Sequence, residues 1–89
     1  MTIELFGLAR ALAGTPTIEL TLAEPATLAT LVEALGSAYP ELIGEVIAAS
    51  RDAFVEPNYL LLDGRRAVMA GELITSADRP CILFLASGG

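Results

Sequence analysis

Lysine and histidine are both absent from this 89-residue chain, and cysteine occurs only once. Without histidine, the usual general base and the commonest metal ligand are missing. The single thiol, Cys81, permits neither an internal disulfide nor a cysteine-based metal cluster, and it reads as a small packed hydrophobe in a strand. Without lysine, no side chain could accept an isopeptide bond. Positive charge is scarce: five arginines stand against 11 acids, for a formal net charge of -6. That balance argues against nucleic-acid binding, which rests on neutralising phosphates. It suits a protein partner with a basic docking face. Met1-Thr2-Ile3-Glu4 lacks the basic region of a signal peptide, and no apolar run is long enough to span a bilayer. The expectation is a cytoplasmic protein without membrane contact. No carboxylate pair, glycine-rich phosphate loop or metal-ligand spacing stands out. Glu41 and Glu45 are i, i+4 neighbours, which on a helix flank are ordinary solvated charges. The chain has no catalytic machinery of its own.

What is present is apolar. Hydrophobic residues make up 54% and charged residues 18%, the composition of one small ordered domain with a single core. Thr2 to Phe6 alternates, with Ile3 and Leu5 on one face and Thr2, Glu4 and Phe6 on the other, and reads as a strand. Gly7 to Gly14 holds strong helix formers between two glycines, a short helical turn carrying Leu8, Ala11 and Leu12 inward. Thr17 to Leu22 alternates again, with Ile18, Leu20 and Leu22 inward. Thr27 is a candidate N-cap for the main helix, in competition with a Thr30–Glu33 capping box. Leu28, Leu31, Val32 and Leu35 form one apolar stripe, and Tyr39-Pro40 ends the helix.

Glu41 to Ala49 repeats a helical pattern more weakly, with Leu42, Val46 and Ala49 aligned. Ser50 to Pro57 reads as loop, with Phe54-Val55 a candidate brief strand. Asn58 to Leu62 is a strand, Asp63-Gly64 a hairpin turn, and Arg65 to Met69 the returning strand. Ala70 to Asp78 is irregular with Leu73 and Ile74 inward, and Cys81 to Leu85 is the last strand. Strand, strand, helix, strand, strand, strand is an α+β order, with one main helix across one face of a mixed sheet.

From Pro80 to Gly89 there is no charged side chain, and the chain stops at Gly88-Gly89. Ordering glycine costs the most backbone entropy and adds no side-chain contact, so a domain gains no stability from such an ending. A chemical purpose does account for it. Glycine lets the backbone lie extended in a narrow cleft and leaves the carboxylate of Gly89 unshielded.

The opening Leu5-Phe6-Gly7-Leu8-Ala9-Arg10-Ala11-Leu12-Ala13-Gly14, Tyr39-Pro40-Glu41-Leu42, Leu62-Asp63-Gly64-Arg65 and the Gly88-Gly89 end stand in one order across the chain. Together they resemble the MoaD/ThiS family of ubiquitin-like sulfur carriers, and the Phe-Gly-x-Ala-Arg opening is most similar to the small subunit of molybdopterin synthase. Ser76-Ala77-Asp78-Arg79-Pro80 stands where that family usually has an Asp-Gly-Asp turn, and Phe84-Leu85-Ala86 where it often has prolines.

The resemblance implies a ubiquitin-like β-grasp domain over 1–85 and a flexible Gly-Gly tail over 86–89. The last strand would lie parallel to the first, with Ile82 and Phe84 facing the helix. Leu83 would then lie on the open side next to Leu61, forming an exposed apolar docking patch with Leu85, Ala86 and Ser87. Arg10 would be available to pair with a partner's acid. No cofactor is implied. An adenylating, MoeB/ThiF-like enzyme would use MgATP to turn the Gly89 carboxylate into an acyl-adenylate, which sulfur converts to a thiocarboxylate. A larger, MoaE-like acceptor subunit would then take the sulfur in molybdenum cofactor biosynthesis. A carrier for thiamine, cysteine or another metabolite, a ubiquitin-like protein modifier and an inert interaction module are the alternatives.

Overall fold

In the computed structural model, which describes residues 1–69 and 71–84, five strands form one sheet with helices on one face. In chain order the elements are β1 (Thr2–Leu5), α1 (Gly7–Ala13), β2 (Thr17–Glu19), α2 (Leu28–Ala38), β3 (Asn58–Leu62), β4 (Arg66–Ala67) and β5 (Pro80–Phe84). Single 3-10 turns lie at Pro40–Leu42 and Ser76–Asp78. The sheet order is β2-β1-β5-β3-β4, with β1 and β5 parallel and the other neighbours antiparallel. This is the ubiquitin-like β-grasp arrangement. Two chain-distant strands become central neighbours because the helices between them provide the crossover that a parallel pair requires.

The core follows the predicted parity. Ile3 and Leu5 from β1, Leu60 and Leu62 from β3, and Ile82 from β5 pack against Leu31, Val32 and Leu35 of α2. Each such side chain, fully buried, contributes about 1.5–3 kcal/mol of transfer free energy. α2 begins where the Thr27 cap predicts: its hydroxyl accepts from the Thr30 amide at 3.3 Å. The competing start at Thr30 is not used, because it would leave Leu28 outside the helix. The Asp63-Gly64 turn places both residues at positive φ, 55° and 66°, closed by a 3.1 Å bond from the Arg65 amide to the Leu62 carbonyl. Positive φ at consecutive turn positions matches the twist of the two strands, which is why Asp-Gly serves there.

Several expectations are corrected. In α1 the buried residue is Ala9, and Ala11 is exposed; Leu8 and Leu12 are half-buried. The strand over Thr17 to Leu22 ends at Glu19, although Leu20 stays buried and its amide bonds the Met1 carbonyl. Glu41 to Ala49 is not helical beyond Leu42. Gly44, at φ 98°, breaks the pattern, and the chain folds back through short bridges of Ile47 to Ile43 and Phe54. Ile47 is buried there with Val46, and Ala49 faces solvent. β4 is confined to Arg66–Ala67 within the expected Arg65 to Met69. Ile74 is fully buried while Leu73 points outward at 58% exposure, because the Ala26–Ile74 bridge orients the segment.

The Arg66 guanidinium grips both oxygens of Glu72, whose carboxylate also accepts from the Met69 amide. These bonds hold the Glu72 carboxyl down at about 2. No described helix is long and apolar enough to cross a membrane.

Candidate functional site

β1, β5 and β3 bury one set of alternate residues under α2 and turn the other set outward, on the face the helices leave bare. The register sets which side chains meet there. Cys81 lies between Glu4 of β1 and Leu61 of β3, Leu61 also faces Ala67 of β4, and Leu83 stands opposite Tyr59. The Phe6 amide donates to the Ile82 carbonyl at 3.0 Å, extending the parallel pairing one residue and setting Phe6 beside the end of β5. Phe6, Leu61, Gly64, Cys81 and Leu83 together line a groove of about 260 Å³. Gly64 keeps one rim open, since nothing lies within 4 Å of where its Cβ would be.

The groove is apolar and graded in depth. Leu61 and Cys81 form its floor at 8% and 6% exposure, Leu83 is half-buried, and Phe6 forms a wall at 39%. Leu61 is therefore floor and not the exposed member that the sequence reading placed beside Leu83. Charge surrounds the groove: Glu4 and Glu19 are exposed on the same face, and Arg79 pairs with Asp63 at 3.0 Å. Burial pushes the Cys81 thiol up, and the neighbouring Glu4 carboxylate adds to the effect. Both disfavour the thiolate, the reactive form, so Cys81 packs and does not attack.

Phe84 has the parity of Ile82 and so lies on the helical side as expected. It stands beyond the core against Gly7 of α1, however, and remains 41% exposed. Arg10 is exposed on α1, forms no ion pair with another described residue, and is not part of the groove. The structure thus brings Leu61 and Leu83 together and leaves Arg10 apart. Leu85, Ala86, Ser87, Gly88 and Gly89 lie outside the described residues.

Phe6 was missed as a site residue, although the alternation Thr2, Glu4, Phe6 already put it on the outward face. Its neighbours on β5 come from the other end of the chain, so no local signal joined them. A second cleft, of about 170 Å³, opens on the helical side among Leu28, Phe54, Leu60 and Val68. Asn58 lines it and uses its amide to bind the carbonyls of Val55 and Glu45, at 2.8 and 3.3 Å, which ties down the segment before β3. Among the described residues, no cluster of three or more histidine, cysteine, aspartate or glutamate side chains could hold a metal ion.

The chain matches no protein-family profile, and no curated protein matches it either. Solved structures do match. SAMP1 from Haloferax volcanii superposes with a TM-score of 0.79 at 26% identity, over 100% of this chain and 98% of that one. A second crystal structure, of H. volcanii small archaeal modifier protein 1, gives 0.78 at 23% identity over 97% of each chain. A Pyrococcus furiosus protein provisionally assigned as molybdopterin converting factor, subunit 1, gives 0.65 at 23%, over 91% of this chain and 88% of that one. The fold is thus the MoaD/ThiS-like, ubiquitin-like one that the sequence motifs resemble.

Proposed function

We propose that this protein is a ubiquitin-like sulfur carrier whose Gly89 carboxylate is the reacting group. The observation that carries the reading is where β5 delivers the chain. Phe84 ends a central strand beside the apolar groove on the open face of the sheet, with Gly88-Gly89 following. A partner seated on Phe6 and Leu83 would have the tail within reach.

The chemistry follows from the carboxylate. It is a poor electrophile with a poor leaving group, so on an adenylating enzyme a Gly89 carboxylate oxygen must first attack the α-phosphorus of MgATP, releasing pyrophosphate and leaving an acyl-adenylate. A persulfide sulfur of the donor then attacks the acyl carbon, and AMP departs with the C–O electron pair. A second thiol of the donor system cleaves the resulting acyl disulfide, forming a disulfide with the donor's sulfur and leaving a thiocarboxylate. The tail presents that sulfur at high effective concentration to an acceptor protein. The small subunit of a molybdopterin-synthase-like complex, with a larger acceptor subunit and an activating enzyme as partners, is the specific form we favour. It rests on the Phe6-Gly7-Leu8-Ala9-Arg10 opening and on the likeness to the P. furiosus structure. No catalytic side chain on this chain is needed, and we place the protein in the cytoplasm.

A second reading has its own support. The higher-scoring structural matches are to proteins named as small archaeal modifiers, which favours transfer of Gly89 to an amine of a target protein.

Intact mass after incubation with an activating enzyme, MgATP and a sulfur donor tests the carrier. Replacing one oxygen with sulfur adds about 16 Da, and that gain must vanish when Gly89 is deleted. Conjugates to other proteins that survive denaturing gels, without a mass gain on the free chain, would favour the modifier. Neither product with competent activating enzymes would overturn both readings.

A further inference from the structure

We propose that this chain is cleared of nucleophiles able to capture its own activated carboxyl, so that every product of the tail carries a single copy of the chain. The inference rests on the carrier reading and adds which acceptors the activated tail can meet.

An acyl-adenylate at Gly89 is consumed when a nucleophile attacks its carbonyl carbon. A C–N or C–S bond forms, the C–O bond to phosphate breaks, AMP leaves with the electron pair, and the nucleophile gives up a proton. A group tethered to the same surface competes at an effective concentration in the millimolar range for a short flexible connection. Gly89 is five residues past Phe84, so the chain's own amines and thiol would be the first competitors.

The amine and thiol competitors are removed or restrained, by composition or by structure. Lysine, ordinarily among the commonest residues, is absent, and so is histidine. The five cationic side chains are all arginine, whose guanidinium does not deprotonate in proteins and offers no free amine. The one thiol lies on the groove floor at 6% exposure, beside the Glu4 strand. The α-ammonium of Met1 is part-buried, donates to the Leu20 carbonyl at 2.8 Å, and lies 3.7 and 3.9 Å from carboxylate oxygens of Glu19 and Glu24, which pair with its charged, non-nucleophilic form. Glu24 is itself anchored by the Ser76 amide and hydroxyl, so this clasp is tied to a segment 52 residues further along the chain. Hydroxyls remain, but without histidine the chain lacks the usual base to activate them.

Two consequences follow. The activated tail survives until an external sulfur donor or a foreign amine reaches it. If it is passed to foreign amines, growth stops at one copy, because no side-chain amine exists for a second copy to join.

The first test is chemical and independent of any activating enzyme. The native full chain is treated with an amine-acetylating ester and, separately, with iodoacetamide, and followed by intact mass. Both additions should be at least about tenfold slower than in the denatured chain, because reaction then requires opening. Native rates equal to the denatured ones would overturn the proposal.

The second test uses the full chain carrying a 2-mercaptoethanesulfonate thioester on Gly89, with Arg65→Lys as the comparison, since Arg65 is exposed outside the groove. Added N-acetyl-lysine amide serves as the amine that must be acylated. The unaltered chain should yield only the hydrolysed monomer and the lysine amide adduct, whereas Arg65→Lys should also yield amide-linked dimers. Dimers of the unaltered chain, or Arg65→Lys remaining as inert as the unaltered chain while the free amide reacts, would overturn it. Because the thioester bypasses adenylation, failure here is distinct from failure of the carrier reading, which shows in the absence of the sulfur mass gain.

Discussion

Leu83 stands directly opposite Tyr59 across the β3–β5 ladder, on the face that the helices leave bare. It is the half-buried member of the groove and the last side chain of β5 to point that way before the tail. Leu83→Ser should therefore cost only about 1 kcal/mol of stability, less than a fully buried leucine. The rate of sulfur loading should fall about tenfold or more if the groove is the docking site. Leu73→Ser, which alters an equally apolar but exposed residue off the groove, should leave both quantities unchanged. Thermal melts and loading rates by intact mass check the pair.

Gly36 lies inside α2, where it is buried, yet a Cβ there would meet Ile43 Cδ1 at 3.6 Å and Ile47 Cδ1 at 3.7 Å. These are ordinary contact distances, so alanine fits without displacement. Gly36→Ala should stabilise the protein by about 0.5–1 kcal/mol, through the backbone entropy that glycine loses in a helix. A higher denaturant midpoint with an unchanged slope is the expected result.

Thr27 caps the same helix through the Thr30 amide. Thr27→Ala should lower stability by about 1 kcal/mol, and Thr27→Ser should lower it by much less, because serine keeps the accepting oxygen. Urea unfolding of the three proteins measures the difference.

Glu72, held at about 2 by Arg66 and the Met69 amide, has an ordinary value of 4.5 when unfolded. Its folded value is the lower one, so its contribution is complete above about 4.5 and is lost as pH falls toward about 2. Below pH 4.5 the unaltered protein should lose stability more steeply than Glu72→Gln, and the two curves should converge near pH 2. Unfolding midpoints across that range provide the test. Convergence near pH 4 would mean that the ion pair is screened away in solution.

The sequence by itself determined the parity of the strands, the Asp63-Gly64 turn and the absence of amines from the side chains, and it narrowed the start of α2 to Thr27 or Thr30. These depend on neighbours within a few residues, where alternation, capping and turn chemistry act. Tertiary structure decided the rest. Glu41 to Ala49 carries a helical spacing, but burial of Val46 and Ile47 against α2 is reached by a folded-back loop that Gly44 allows. Between Leu73 and Ile74, equal in hydrophobicity, only the bridge to Ala26 selects which goes inward. The groove exists because parallel pairing brings β5 beside β1, uniting Phe6 with Leu83 and Cys81 from the other end of the chain. The shielding of Cys81 is likewise a product of that closure, and the Met1 ammonium is held by the β1–β2 pairing, through the Leu20 carbonyl. Local preference can set which face a side chain takes, but which faces meet depends on long-range burial.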